Sequence, residues 1–266
     1  MKEKTKNILM NAGIAILCVA TILLEFYSIT YVKDVFLNRM IAKIIQQGCG
    51  IAATILLMIR TEIKLFARPQ NLLYLIPCLI IAVDNFPFWS YFSGNMHLVR
   101  NNAIDFVLFS GYCLSVGIFE ECIFRGIVFT VLASRLSRDR NGFIKTYVIS
   151  SFIFGAAHIM NGFSAATLLQ VCYTTLTGGL FAFALIKTKN IFCCGVIHAI
   201  YNFCGLILSE QGMGTGIVFD VGTTITMAVI SIIVGWYVLK QVFSTSNQEI
   251  EALYQKIGVK YNGKED

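Results

Sequence analysis

Two adjacent carboxylates, a guanidinium, two imidazoles and a carboxamide stand out in this sequence because each sits in apolar surroundings. Glu120, Glu121 and Arg125 occur in the run from Phe119 to Gly126, and no Asp, Glu, Lys or Arg lies between Phe106 and Phe119 or between Gly126 and Ser134. A charge at the centre of a membrane costs about 2.5–3.5 kcal/mol on insertion scales, so such residues face a bundle interior and mark function. Glu121 and Arg125 are four apart, acid first, and can pair on one helical face. Glu120 is turned about 100° away and has no cation at helical spacing, which makes it the carboxylate left for chemistry. A purely structural ion-pair cluster is the competing reading of the same stretch.

His158 ends the run Phe154-Gly-Ala-Ala-His158, and His198 opens His198-Ala-Ile-Tyr-Asn202. His198 and Asn202 share a helical face, so both can reach one cavity. Gly155, Ala156 and Ala157 are small enough to let two membrane helices approach closely. A carboxylate, two imidazoles and a carboxamide suit activation of a water by a general base beside donors that stabilise an oxyanion. The same set suits a metal held by carboxylate and imidazole, although no H-E-x-x-H motif is present.

These residues must be positioned by membrane helices. The chain of 266 residues is 56% hydrophobic and 14% charged, with mean hydropathy +0.71, a composition of polytopic membrane proteins. A basic flank, Met1 to Lys6, precedes an apolar run that continues past Glu25 to Val32 without a small-residue cleavage pattern, so it reads as a retained helix rather than a signal peptide. Further apolar segments cover 44–59, 69–91, 103–134, 190–209 and 221–239, and Pro77 and Pro87 predict a kink or break in 69–91. From Thr146 to Ile186 no charge occurs, too long for one span, and Asn161-Gly162 is the natural break. The expectation is an all-α protein of about eight transmembrane helices in a single bundle, with a polar tail. It divides into N-terminal helices 1–102, a core 103–210, a last helix 211–243 and a tail 244–266. Counted from the cytoplasmic ends, Glu120, His158, His198 and Asn202 lie roughly 13–23 Å deep at 1.5 Å per residue.

On alternate sides of these segments, only Lys33, Arg39, Lys43 and Arg100 fall opposite the remaining basic residues, Arg125 aside. The positive-inside rule then places both termini in the cytoplasm of a multi-pass protein in the cell membrane. A formal net charge of +6 spread over such loops sets topology and gives no nucleic-acid site. The 9 cysteines lie in apolar runs without paired spacing and read as small buried residues, with no disulfide framework and no zinc-ribbon pattern. Asp84, His97 and Asp105 read as solvated residues at the outer end of the third helix.

The three patterns Glu-Glu-x-x-x-Arg, Phe-x-x-x-His and His-x-x-x-Asn, in this order on successive membrane helices, resemble those of the CAAX-processing and bacteriocin-processing (CPBP, or Abi) intramembrane proteases, the family of the CAAX prenyl endopeptidase. The resemblance covers roughly Val107 to Leu208. It implies an endopeptidase that cuts a membrane-associated or lipid-modified peptide, with Glu120 as general base on a water, His158 assisting, and His198 and Asn202 forming an oxyanion hole. Glu121 and Arg125 would support the geometry. It implies a hydrophobic or lipidated peptide and membrane lipids as partners, and a mechanism that requires no cofactor, although members are often labelled metalloproteases and zinc ligation by Glu120 or Glu121 with His158 and His198 is the alternative. A non-proteolytic scaffold or bacteriocin self-immunity factor, and a transporter built on broken helices, are the competing functions.

Overall fold

Helix-forming apolar runs, each started by a polar cap, set the architecture. The computed structural model describes residues 2–24, 29–215 and 221–261, and among them the regular elements are helices, with one isolated β-bridge between Leu98 and Gly214. The helices are α1 (Lys2–Leu24), α2 (Val35–Arg60), α3 (Ile76–Asp84), α4 (Phe88–Phe92), α5 (Ala103–Glu121), a π-helical segment (Cys122–Phe129), α6 (Thr130–Arg135), α7 (Arg140–Ala157), α8 (Ala165–Thr188), α9 (Ile191–Leu206), α10 (Val221–Phe243) and α11 (Asn247–Ile257). Asp34, Asn102, Asp139, Ser164 and Asn190 each accept a hydrogen bond from a backbone N–H of the first turn they cap. Ser246 and Glu249 form a reciprocal capping box at the start of α11.

Each apolar stretch read from the sequence carries a helix. Among the described residues, four helices are long and apolar enough to cross a membrane: α2, α7 with its short 3-10 extension to Asn161, α8 and α10. Leu72–Asp84 and α9 are shorter apolar helices, while α5, the π segment and α6 run on without interruption. The first apolar run continues across residues 25–28, which lie outside the described residues. The break expected in 69–91 occurs at Pro87, which caps α4. Pro77 occupies the first turn of α3, directly after the 3-10 turn Leu72–Leu75, where a missing N–H is tolerated. The break at Asn161-Gly162 is also present, with Gly162 at φ +123°, a backbone region that favours glycine.

Two of the outer residues read as solvated are not. Asp105 is 3% exposed; it sits in the first turn of α5, takes an amide hydrogen from Asn102 at 2.7 Å and pairs with Arg100 at 3.3 Å. Asp84 is half-buried, with one oxygen enclosed, because α3 ends against α9. His97 is exposed as expected.

The core gathers around α8. Of the four long apolar helices it is the most enclosed, 61% of its most apolar window being buried against 17% for α10, so α8 is a central post and α10 a peripheral one. At the end of the molecule that carries most of the basic residues, α11 is packed into the core through Ile250, Leu253, Tyr254 and Ile257. The Arg138–Glu251 ion pair at 2.8 Å and the bond from Lys64 N–H to the Ile257 carbonyl at 2.8 Å tie it to neighbouring loops. At the other end, Arg100 bridges Asp34 and Asp105, and Val99 N–H donates to the Met213 carbonyl at 2.9 Å.

Candidate active site

Close helix approach creates the site. A Cβ on Gly117 of α5 would stand 2.5 Å from the Gly195 carbonyl oxygen and 2.8 Å from Ala199 N on α9. Only glycine lets these backbones meet, and that contact sets Glu120 and Glu121, one turn further along α5, beside His198. On α7, Gly155 plays the same part against α8, where a Cβ would meet Thr175 N at 2.8 Å. Here the small-residue reading of Gly155 is confirmed.

At the end of α5 the helix widens into the π segment Cys122–Phe129. Such widenings recur at functional sites because they re-aim side chains without breaking the helix. The sequence reading treated this stretch as ordinary helix; the Glu121–Arg125 pairing survives the change. Arg125 Nε lies 3.1 Å from Glu121 Oε2, Nη1 donates to Oε1 at 3.2 Å, and Nη2 donates to the Gly178 carbonyl on α8. The guanidinium also lies over the Phe154 ring at 4.6 Å and the Phe181 ring at 5.6 Å. Both charged partners are fully buried. Placed among donors, acceptors and two aromatic faces, the pair meets the requirement that a buried charge be paired and hydrogen-bonded.

Glu121 also takes a hydrogen from His198 Nδ1 at 3.0 Å. A carboxylate only accepts, so Nδ1 carries the proton and the ring presents Nε2 on its other side. That nitrogen stands 3.8 Å from Glu120 Oε2. Glu120 is 28% exposed at its side chain, yet Oε2 is enclosed and has no hydrogen-bond partner. The two acids therefore differ: Glu121 is ion-paired with Arg125 and bonded to His198, whereas Glu120 has only the His198 imidazole nearby, at 3.8 Å.

Phe154 is the hub of the aromatic lining. Its ring makes edge contacts with His158 at 5.3 Å, His198 at 5.7 Å and Phe124 at 4.9 Å. His158 is half-buried and bonds through Nδ1 to the Phe154 carbonyl at 3.0 Å. It stands at the C-terminal cap of α7, where the chain tightens into a 3-10 turn, rather than inside the helix as the sequence suggested. The reason is the 158–164 connection, which begins four residues before Gly162. Asn202 is half-buried on α9, one turn beyond His198. Arg125, Glu121, His198 and Glu120 thus form a chain of direct contacts in that order; His158 joins them through Phe154, and Asn202 by helical spacing alone.

Zinc ligation fits this arrangement poorly. Among the described residues no three His, Cys, Asp or Glu side chains converge on one point. A zinc ion using Glu121 would also displace a guanidinium from its carboxylate. Two cavities near the bundle, about 260 Å³ beside Phe163 and Thr167 and about 210 Å³ between Tyr147, Leu180 and Val234, are lined by other residues than these.

Sequence reasoning missed Phe181 and Gly178. Neither belongs to a spaced motif, and α8 carries no charge between its cap and Lys187, so nothing in the sequence marked that helix as part of the site.

Residues 102–204 match the sequence profile of a family described as Rce1-like, type II CAAX prenyl endopeptidase Rce1-like. The matched segment runs from the cap of α5 to the last turns of α9 and contains every site residue discussed above. The CAAX prenyl protease 2 of Saccharomyces cerevisiae is 26% identical over 100 residues, covering 32% of this chain and 32% of the yeast protein. The similarity thus spans about a third of that relative's length. No solved structure matches the chain significantly. Over the segment that brings Glu120, Glu121, Arg125 and His198 together, the chain is similar to the Rce1-like type II CAAX prenyl endopeptidases, the resemblance that its three motifs carry.

Proposed function

We propose that this multi-pass membrane protein is an intramembrane endopeptidase that hydrolyses a peptide bond in a membrane-associated, lipid-modified peptide or protein of the CAAX type. The observation that carries the reading is the division of labour between the two acids. Glu121 is locked between a guanidinium and an imidazole, while the adjacent Glu120 keeps an enclosed, unpartnered oxygen 3.8 Å from His198 Nε2.

In this mechanism a Glu120 oxygen accepts a proton from water, with His158 helping to hold that water, and the hydroxide oxygen bonds to the scissile carbonyl carbon. The carbonyl π pair moves onto oxygen, and the oxyanion takes hydrogens from the Asn202 amide and from His198, whose Nε2 donates in the imidazolium form, with Nδ1–H still held by Glu121. Collapse breaks the carbon–nitrogen bond, and Glu120 passes its proton to the departing amine. Glu121 and Arg125 hold the ring and the helix in place. No step runs through a metal, so prolonged chelation leaves the cleavage rate unchanged.

The catalytic core is residues 103–210, flanked by helices in 1–102 and 211–243 and by the tail 244–266. Both termini face the cytoplasm, on the strength of the basic-residue bias. The test uses full-length protein in liposomes with a farnesylated peptide ending in a CAAX sequence, read by mass spectrometry. Glu120→Gln lowers cleavage by roughly 10²–10⁴-fold and His158→Ala also impairs it. Wild-type turnover in Glu120→Ala overturns the scheme, and an uncut peptide profile shared by wild type and variants favours a scaffold.

A further inference from the structure

The groups given a part in the reaction lie on α5, the π segment and α9 and in the 3-10 turn after α7. The most enclosed long helix, α8, was left without a role, yet it touches the site twice within one turn. Its Gly178 carbonyl accepts from Arg125. Three residues on, Phe181, 1% exposed, stacks on the His198 ring with centroids 4.5 Å apart and planes at 19°.

A single hydrogen bond does not fix an imidazole. With Nδ1 tethered to Glu121, the ring can still swing about a side-chain torsion whose energy wells are broad, and Nε2 would sweep an arc. A parallel ring against one face removes that freedom. Phe154 meets the histidine edge-on at 74° and closes a second side. Phe181 is itself immobilised by edge contacts with Phe154 at 6.0 Å and Tyr201 at 6.3 Å.

We propose that Phe181 is a positioning residue for the reaction assigned above: its ring face sets the plane of His198 so that Nε2 points at the space beside Glu120. The inference rests on the proposed hydrolysis for its consequence in rate, but not for its geometry. Phe181 touches neither substrate nor water. Its contribution is orientation, which acts on turnover more than on substrate binding.

The titratable or charged groups around His198 are Glu120 and Glu121 from α5, Arg125 from the π segment, His158 from α7 through Phe154, and Cys194 and Tyr201 on its own helix. Phe181→Leu keeps these groups and removes the aromatic face stacked on His198, together with the more distant 5.6 Å contact of that ring to the Arg125 guanidinium. Phe181→Tyr keeps that face.

The experiment compares wild type, Phe181→Leu and Phe181→Tyr as full chains in the same lipid, at matched thermal stability, with two readouts. One is kcat and KM on the farnesylated peptide. The other is the ring ¹⁵N spectrum of selectively labelled histidine, with His198 assigned by His198→Gln. In Phe181→Leu, kcat falls about tenfold or more with KM within about twofold, and the His198 Nδ1 and Nε2 resonances broaden or shift toward exchange between orientations. Phe181→Tyr restores both. Unchanged His198 resonances in Phe181→Leu overturn the proposal whatever the rate does, and so does a loss expressed only in KM. If no form of the protein cuts the peptide, the hydrolase reading fails while the nitrogen spectrum still decides the placement of the ring. If Phe181→Leu does not fold, Phe181→Met repeats the comparison with a flexible apolar side chain.

Discussion

Arg125 shows how much a single membrane-buried side chain can organise. It spends its donors on Glu121 and the Gly178 carbonyl and lies on two aromatic faces, a set that requires a planar fork and not a point charge. Arg125→Lys keeps the charge but loses the fork and the stacking. We expect it to lower stability by about 2–3 kcal/mol, read as a drop in Tm in detergent, with residual cleavage in whatever fraction remains folded. Glu121→Gln is expected to be worse, about 3–5 kcal/mol, because it strands a buried guanidinium. It also removes the anion that holds His198 Nδ1, so kcat falls even where the protein survives. Equal stability of Glu121→Gln and wild type would mean that the pair is not the anchor its geometry describes.

At the scale of elements, the site depends on how closely α5 and α9 cross. Gly117 and Gly111 are six residues apart on α5 and make a matched comparison. A methyl group at Gly117 meets the backbone of α9 at 2.5 Å, whereas one at Gly111 meets only the tip of the Ile44 side chain at 3.4 Å. Gly117→Ala is expected to push the helices apart, lowering Tm and cutting turnover at least tenfold through a misplaced Glu120. Gly111→Ala should leave both close to wild type. A paired assay of the two variants checks the crossing directly. The π segment acts at the same scale: it keeps Arg125 under Glu121 while turning Phe124 toward the edge of Phe154.

For the whole molecule, the two ends are held by different means. At the more basic end, α11 acts as a staple: Tyr254 is fully buried, near Phe143. Tyr254→Ala is expected to cost about 3–5 kcal/mol by leaving a cavity, seen as a lower Tm; an unchanged Tm would show that the tail is dispensable. At the opposite end, the Leu37 N–H and then Arg100 hold the Asp34 carboxyl below its usual pKa. A carboxyl depressed by folding stabilises fully above its unfolded value of about 3.9 and loses that contribution as pH falls through the folded value. Acidification from pH 5 to pH 3 should therefore lower Tm more steeply in wild type than in Asp34→Asn, because only wild type has this proton to take up.

Much of this protein is written in one dimension. Long apolar runs without charges can only be membrane helices, since an unpaired polar backbone is too costly in lipid, and isolated ionisable residues inside such runs have to face one another. That logic found the fold class, the Glu121–Arg125 pair and the break at Gly162, and it left Glu120 as the acid without a cation; the approach of His198 to Glu120 came only from the structure. What it could not find depends on distance between helices. Phe181 and Gly178 are an ordinary apolar residue and an ordinary small residue in sequence, and become part of the site only because α8 stands at the centre of the bundle. The π widening, the position of His158 at a helix end and the burial of Asp105 likewise arise from packing between segments far apart in the chain, where side-chain volume and the closeness of backbones decide, and local spacing carries no record of either.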